Sequence, residues 1–88
     1  MVKWRVVFTK RALKDAAKLS AAGLRSKAEM LLEILHENPY QTPPPFEKLA
    51  GDLSGAYSRR INIQHRLVYQ IIDNEKTVKV IRMWTHYE

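Results

Sequence analysis

The stretch Tyr57–Ile71, YSRRINIQHRLVYQI, reads as two strands joined by a short link, and it decides the fold. Tyr57–Asn62 and His65–Asp73 read as the strands, rich in β-branched and aromatic residues. Arg59, Arg60, His65 and Arg66 stand within them, and from Ser54 to Ile72 there is no carboxylate. So much positive charge in the middle of a sheet calls for a reason.

Downstream, DNEK has the composition of a tight turn, and Thr77–His86 reads as a further strand. If DNEK turns the hairpin, positions equidistant from about residue 75 face each other. Arg66 then lies within a couple of positions of Trp84 to His86. The end of the sheet away from the turn gathers Arg66, His86 and Tyr87, with His65 beside them. The sheet face they share stays open, because a one-residue slip flips every side chain.

Upstream, VKWRVVF suggests a first strand over Val2–Phe8. Thr9 can cap a helix through KRALKDAAKL, and Lys10, Lys14 and Lys18, at i, i+4 and i+8 with Arg11 beside them, give it a basic stripe. SAAG breaks the pattern. A second helix follows over Leu24–Glu37, with Leu24, Ala28, Leu31, Leu32 and Leu35 on one face. Asn38-Pro39 ends it, because proline disfavours the helical conformation at the residue before it. The irregular PYQTPPPFEKLAGDLSGA lies between apolar strands and is a loop within one domain. The expected architecture is α+β: one N-terminal strand, a two-helix hairpin, then an antiparallel meander of about three strands packed on the helices, as a single domain over 1–88.

The chain has 88 residues, room for one core, with 15 Lys and Arg against 9 Asp and Glu, a net charge of +6. That balance favours an anionic partner such as nucleic acid. Without cysteine there is no disulfide framework or thiolate metal site, and the three histidines show no His-x-x-x-His spacing, so neither a metal nor a cofactor is expected. No apolar run approaches the ~18 residues of a membrane span, and the N-terminus is too short and too charged for a signal peptide, so the expected compartment is the cytoplasm, with no membrane contact.

Cations, an imidazole and a phenol suit a phosphodiester. RNA is cleaved without metal if a base takes the 2′-hydroxyl proton, a cation stabilises charge on phosphorus and an acid protonates the leaving 5′-oxygen. Arginine fits the second role through its planar fork, and histidine the third through a pKa near 6.5. Glu47 is the obvious carboxylate for the first, although a loop glutamate is more often simply solvated. His86 and Tyr87 have a bland alternative as caps of the sheet edge, and the lysine stripe has one as a solvated helix face. Arg59 and Arg60 point to opposite faces of their strand, so at most one joins a given site; the other snorkels or pairs with a carboxylate. His36 suits the C-terminal end of its helix, and Trp4, Tyr69 and Trp84 suit the core.

LSGAYSRRINIQHRLVYQI, preceded by FEKL and closed by THY near the C-terminus, resembles the Txe/YoeB-type toxins of the RelE superfamily. The resemblance spans nearly the whole chain. It implies the toxic half of a bacterial type II toxin–antitoxin pair, a metal-independent endoribonuclease that enters the A site of the ribosomal 30S subunit and cuts translated mRNA. On that resemblance Glu47 is the general base, His86 the general acid, Arg66 the phosphate-stabilising cation and Tyr87 an accessory. Arg60 and His65 become substrate-binding residues, and Lys10, Arg11, Lys14 and Lys18 a contact to ribosomal RNA. The implied partners are ribosome, mRNA and a cognate antitoxin with an acidic, disordered C-terminal segment, in a homodimer or a toxin–antitoxin hetero-oligomer. Two departures stand out. Glu88 follows the His-Tyr pair, where it either raises the His86 pKa or points into solvent, and the first helix is lysine-rich rather than aromatic-rich. The rival reading is a non-catalytic or gyrase-inhibiting ParE-like toxin or binding module on the same fold.

Overall fold

The computed structural model describes residues 3–51 and 55–84. Thr9 begins the first helix as its side chain suggests: its hydroxyl oxygen accepts from Ala12 N at 3.0 Å. The same hydroxyl donates to Ile81 O at 2.8 Å and ties the helix start to the last strand. This helix, α1, spans Lys10–Ala21. It stops at Gly23, whose φ of +77° suits a residue without a Cβ. Gly23 N donates to Ser20 O at 3.2 Å and Leu24 N to Leu19 O at 2.9 Å, the paired bonds of a Schellman ending. The second helix, α2, spans Arg25–Glu37, one residue later than the sequence suggests, because Leu24 completes that ending.

Five strands form one sheet: β1 (Arg5–Phe8), β2 (Glu47–Lys48), β3 (Ala56–Arg60), β4 (Arg66–Ile72) and β5 (Thr77–Arg82), in the order β1-β5-β4-β3-β2. The expected meander is β3, β4 and β5, paired antiparallel. The strand outside the meander pairs too: β1 runs parallel to β5, with Arg5 opposite Thr77, and the helical pair supplies the crossover such a pairing needs.

Strand ends differ from the sequence expectation for identifiable reasons. β1 begins at Arg5, and Val2 lies outside the described residues. β3 ends at Arg60 rather than Asn62, because the Asn62 side-chain oxygen accepts from Gln64 N at 2.9 Å and His65 N at 2.7 Å and folds the link as an Asx turn. DNEK is a one-turn 3-10 helix over Asp73–Glu75 followed by Lys76 at a φ of 48°. β5 ends at Arg82 rather than His86, because the next two backbone N–H groups, on Met83 and Trp84, turn to the Asp15 carboxylate.

Residues opposite each other in the register share a sheet face. Tyr69 and Val80 form one such pair, Ile71 and Val78 another. With Ile61, Leu67 and Met83 they pack on Ala12, Leu19, Ala28, Leu31 and Leu35 of the helices. Burying each of the larger of these side chains contributes about 1.5–3 kcal/mol. Tyr69 is fully buried; Trp4 and Trp84 are partly buried and pack against this core. Ser58 with Val68 and Arg60 with Arg66 face the other way, off the helices.

Candidate active site

The outer face of the sheet builds the site from three strands. Glu47 on β2 pairs with Ser58 on β3, and Arg60 on β3 pairs with Arg66 on β4. Glu47 therefore stands on a short strand, not in the irregular loop that the sequence suggests. From β4, Arg66 Nη1 reaches across β3, donating to the Glu47 carboxylate Oε1 and to Ser58 Oγ at 3.3 Å. Pro45, Glu47, Ser58, Arg60 and Arg66 line an open hollow of about 200 Å³. A larger apolar groove of about 360 Å³ lies between the helices, but the ionisable groups in it, Arg25 and Glu29, pair with each other at 2.9 Å.

The electrostatics of the hollow follow from this geometry. The Arg66 hydrogen bond, then its charge, hold the Glu47 carboxyl below its usual range, and the Arg60 charge adds to the same effect. Glu47 is thus ionised at neutral pH. Arg66 is largely covered, with 14% of its side chain exposed, whereas the Glu47 side chain is 65% exposed. The cation is anchored and the carboxylate is accessible from solvent.

Arg59 does a different job. Its side chain lies on the helix side of the sheet, 1% exposed. Nε donates to Tyr69 Oη at 2.9 Å, Nη1 to Pro44 O at 2.6 Å, and Nη2 to Pro39 O at 2.9 Å and Gln41 O at 2.8 Å. The guanidinium also sits 4.8 Å from the Phe46 ring centroid. The expectation that the second arginine of the pair would snorkel or meet a carboxylate is overturned: carbonyl oxygens of the proline loop satisfy it. That loop runs directly into Glu47, so a buried cation fixes the approach of the candidate base.

The other predicted residues are placed as follows. Arg60 is exposed at the hollow, on the opposite face from Arg59, as the alternation requires. His65, next to Arg66, is 4% exposed, and its ring stacks on Trp84 at 3.9 Å between centroids, 22° from parallel. The β4–β5 ladder ends at the Val68–Arg82 pair, and the stack of Trp84 on His65 keeps the chain after β5 beside the residue that precedes Arg66. His86, Tyr87 and Glu88 lie outside the described residues. Lys10, Arg11, Lys14 and Lys18 are exposed along α1, around the buried Asp15. His36 Nδ1 lies 3.1 Å from Trp4 O at the end of α2, away from the hollow. Among the described residues no group of three His, Asp or Glu side chains is placed to hold a metal ion, and no helix is long and apolar enough to cross a membrane.

Ser58 and Asp15 do not stand out from the sequence as parts of a site, and the anchoring role of Arg59 does not either. Ser58 was legible, since it stands two residues before Arg60 and shares its face. Asp15 is marked only as the sole acid of a basic helix.

Helical pair and five-stranded sheet together make the RelE-like fold of small bacterial toxins. The fold superimposes on the YoeB/ParE toxin from Agrobacterium tumefaciens with a TM-score of 0.83 at 28% identity, covering 94% of this chain and 99% of that one. It matches a YoeB–YefM complex chain from Staphylococcus aureus with a TM-score of 0.77 at 31% identity, covering 96% and 98%. In sequence it is 31% identical over 85 residues to Toxin YoeB of Streptomyces coelicolor, 94% of this chain and 99% of the relative. Residues 8–87 match the YoeB-like toxin of bacterial type II toxin-antitoxin systems, and the chain belongs to that family.

Proposed function

We propose that this toxin is a metal-independent, ribosome-dependent endoribonuclease that cleaves translated mRNA in the A site, in the cytoplasm, as a single domain. The observation that carries the reading is the Glu47–Arg66 pair, held with Ser58 and Arg60 in an open hollow. A surface that only binds gains little from neutralising its own best cation with an accessible carboxylate.

Glu47 takes the proton of the 2′-hydroxyl, and the freed oxygen attacks phosphorus. The bond to the 5′-oxygen breaks, His86 gives that oxygen a proton, and a 2′,3′-cyclic phosphate and a 5′-hydroxyl remain. Arg66 stabilises the charge on the phosphoryl oxygens and Arg60 adds to the field. Tyr87 orients the nucleotide or the histidine, and His65, buried against Trp84, backs the strand that bears Arg66. The resting ion pair makes Glu47 ionised but weakly basic. An incoming phosphate competes for Arg66, and as the guanidinium turns to it Glu47 regains the basicity its task needs.

The antitoxin partner is supported by the Staphylococcus aureus relative, which is seen in complex with YefM. For this chain the proposed partner carries an acidic, disordered segment that folds over the basic site.

Primer extension on a defined mRNA held on initiated ribosomes tests the reading, with naked mRNA alongside. New 3′ ends in the A-site codon are expected on ribosomes alone. Glu47→Gln, Arg66→Gln and His86→Gln should each slow cleavage by about 10²–10⁴-fold. Equal cleavage of naked RNA would make it a free ribonuclease, and no cleavage by folded protein would return it to the ParE-like reading.

A further inference from the structure

Ser58 is fully buried at the floor of the hollow, with Glu47 opposite it on β2 and Val68 opposite it on β4. Arg66, two positions before Val68 and on the same face, reaches over the serine toward the carboxylate. One nitrogen serves both acceptors: Nη1 donates to Glu47 Oε1 and to Ser58 Oγ at 3.3 Å. Water treats the two bonds differently. The Glu47 side chain is 65% exposed, and an ion pair with so exposed a partner is screened and readily exchanged. The Ser58 hydroxyl lies where water does not compete, and a hydrogen bond from a charged donor is roughly twice as strong as one between neutral groups. The sheet does not itself require a hydroxyl here, since the equally buried cross-strand neighbour Val68 is apolar. A buried hydroxyl needs a hydrogen-bond partner, and Arg66 provides one.

We infer that Ser58 is the positioning residue for Arg66: its hydroxyl is the fixed acceptor that keeps the guanidinium anchored while Glu47 gives it up to the phosphate. The inference rests on the proposed reading, in which phosphate and Glu47 compete for Arg66. An arginine held by Glu47 alone would regain rotamer freedom at the moment of exchange, and ordering it again would oppose the reaction. With Nη1 held by Ser58, the guanidinium turns about that nitrogen and offers its planar fork to the phosphoryl oxygens. Ser58 itself touches no substrate. It acts through Arg66, so its effect falls on the chemical step and not on capture of the ribosome.

The test compares Ser58→Ala, Ser58→Thr and Ser58→Cys in single-turnover cleavage on programmed ribosomes, with nitrogen-detected NMR of the Arg66 guanidinium in each free protein. Ser58→Ala removes the acceptor, and it should lower the rate at saturating ribosomes by about 10–100-fold, the scale of a lost hydrogen bond to a charged group. The half-saturating ribosome concentration should stay unchanged. Ser58→Thr keeps the hydroxyl and should recover most of the rate. In the free protein, the Nη signals of Arg66 should remain separate in Glu47→Ala, where Ser58 still holds the fork, and merge when Ser58→Ala is added. If Ser58→Ala does not fold, Ser58→Cys decides, since its thiol is only a weak acceptor and should be slow in the same way. Wild-type rate per folded molecule without the hydroxyl, or Arg66 signals indifferent to its loss, overturns the inference. If the wild-type protein cleaves nothing, the nuclease reading fails, and the Arg66 signals alone decide whether Ser58 anchors the cation.

Discussion

Arg66 reaches across β3 to the carboxylate of Glu47, so the cation and the base of the proposed site hold each other's charge. In a carbon-detected NMR titration Glu47 should ionise at lower pH than an ordinary glutamate. Arg66→Gln should return it toward the ordinary value of about 4.3. Because the folded-state pKa is depressed, the pair's contribution to stability is present above that ordinary value and is lost as pH falls through the depressed one. A Glu47 titration indifferent to Arg66→Gln would remove the basis for the resting ion pair.

Arg59→Met should be the more damaging change for stability, although Arg59 is not proposed to touch substrate. It strands three carbonyls and the Tyr69 hydroxyl, and the expected loss is about 3 kcal/mol or more. A domain of this length has of the order of 4–13 kcal/mol in total. Urea unfolding should show a large fall in midpoint. Arg59→Lys should recover little of it, since a single ammonium lacks the fork that reaches acceptors on both sides. A midpoint close to wild type in Arg59→Met would mean that the proline loop is held by other interactions.

Charge reversal on the α1 stripe tests the proposed approach to ribosomal RNA. Lys14→Glu with Lys18→Glu should weaken ribosome binding and flatten its salt dependence, by about 0.9 in the log–log slope for each phosphate no longer neutralised. Unchanged binding at physiological salt would return the stripe to a solvated face.

Two tyrosines should titrate late. Tyr40 donates to Asp73 Oδ1 at 2.6 Å, and this bond, with some burial and the Asp73 charge, pushes its pKa up to about 12. Burial raises Tyr69 as well, partly offset by the Arg59 charge. In an ultraviolet alkaline titration, Tyr40→Phe should remove a phase near the end of the curve. Since the folded value lies above the unfolded one, the Tyr40 bond contributes below pH about 10 and is lost as pH rises through its own pKa. Loss of an early phase instead would contradict the Tyr40–Asp73 bond.

Local signals carry much of the architecture. Thr9, Gly23, Asn38-Pro39 and the apolar, β-branched and aromatic residues of Tyr57–Ile71 each act over a few residues, and the elements they announce are present. The approach of Trp84 to the start of β4, seen in its stack on His65, is legible because a hairpin register depends on its turn. Pairings between distant segments are not legible. The β2 pairing that lifts Glu47 from its loop, the carbonyls gathered around Arg59 and the grip of Asp15 on Met83 all join residues from different elements, and no periodicity encodes them. Arg59 is misleading in the sequence because an arginine is expected to find an acid, whereas a proline-rich loop offers carbonyls that its own missing N–H groups leave unused.

The parallel pairing of β1 with β5 also has a consequence in time. It joins the ends of the chain, as does the bond from Thr9 to Ile81, 72 positions away. At about 5–20 residues per second, β5 follows β1 out of synthesis by some 4–14 s. Throughout that interval β1 has no strand partner, and the strand bearing Arg66, made just before β5, waits for its inner one. The order of manufacture therefore sets the order of assembly: the sheet that carries Glu47 and Arg66 closes only after its last strand has been made.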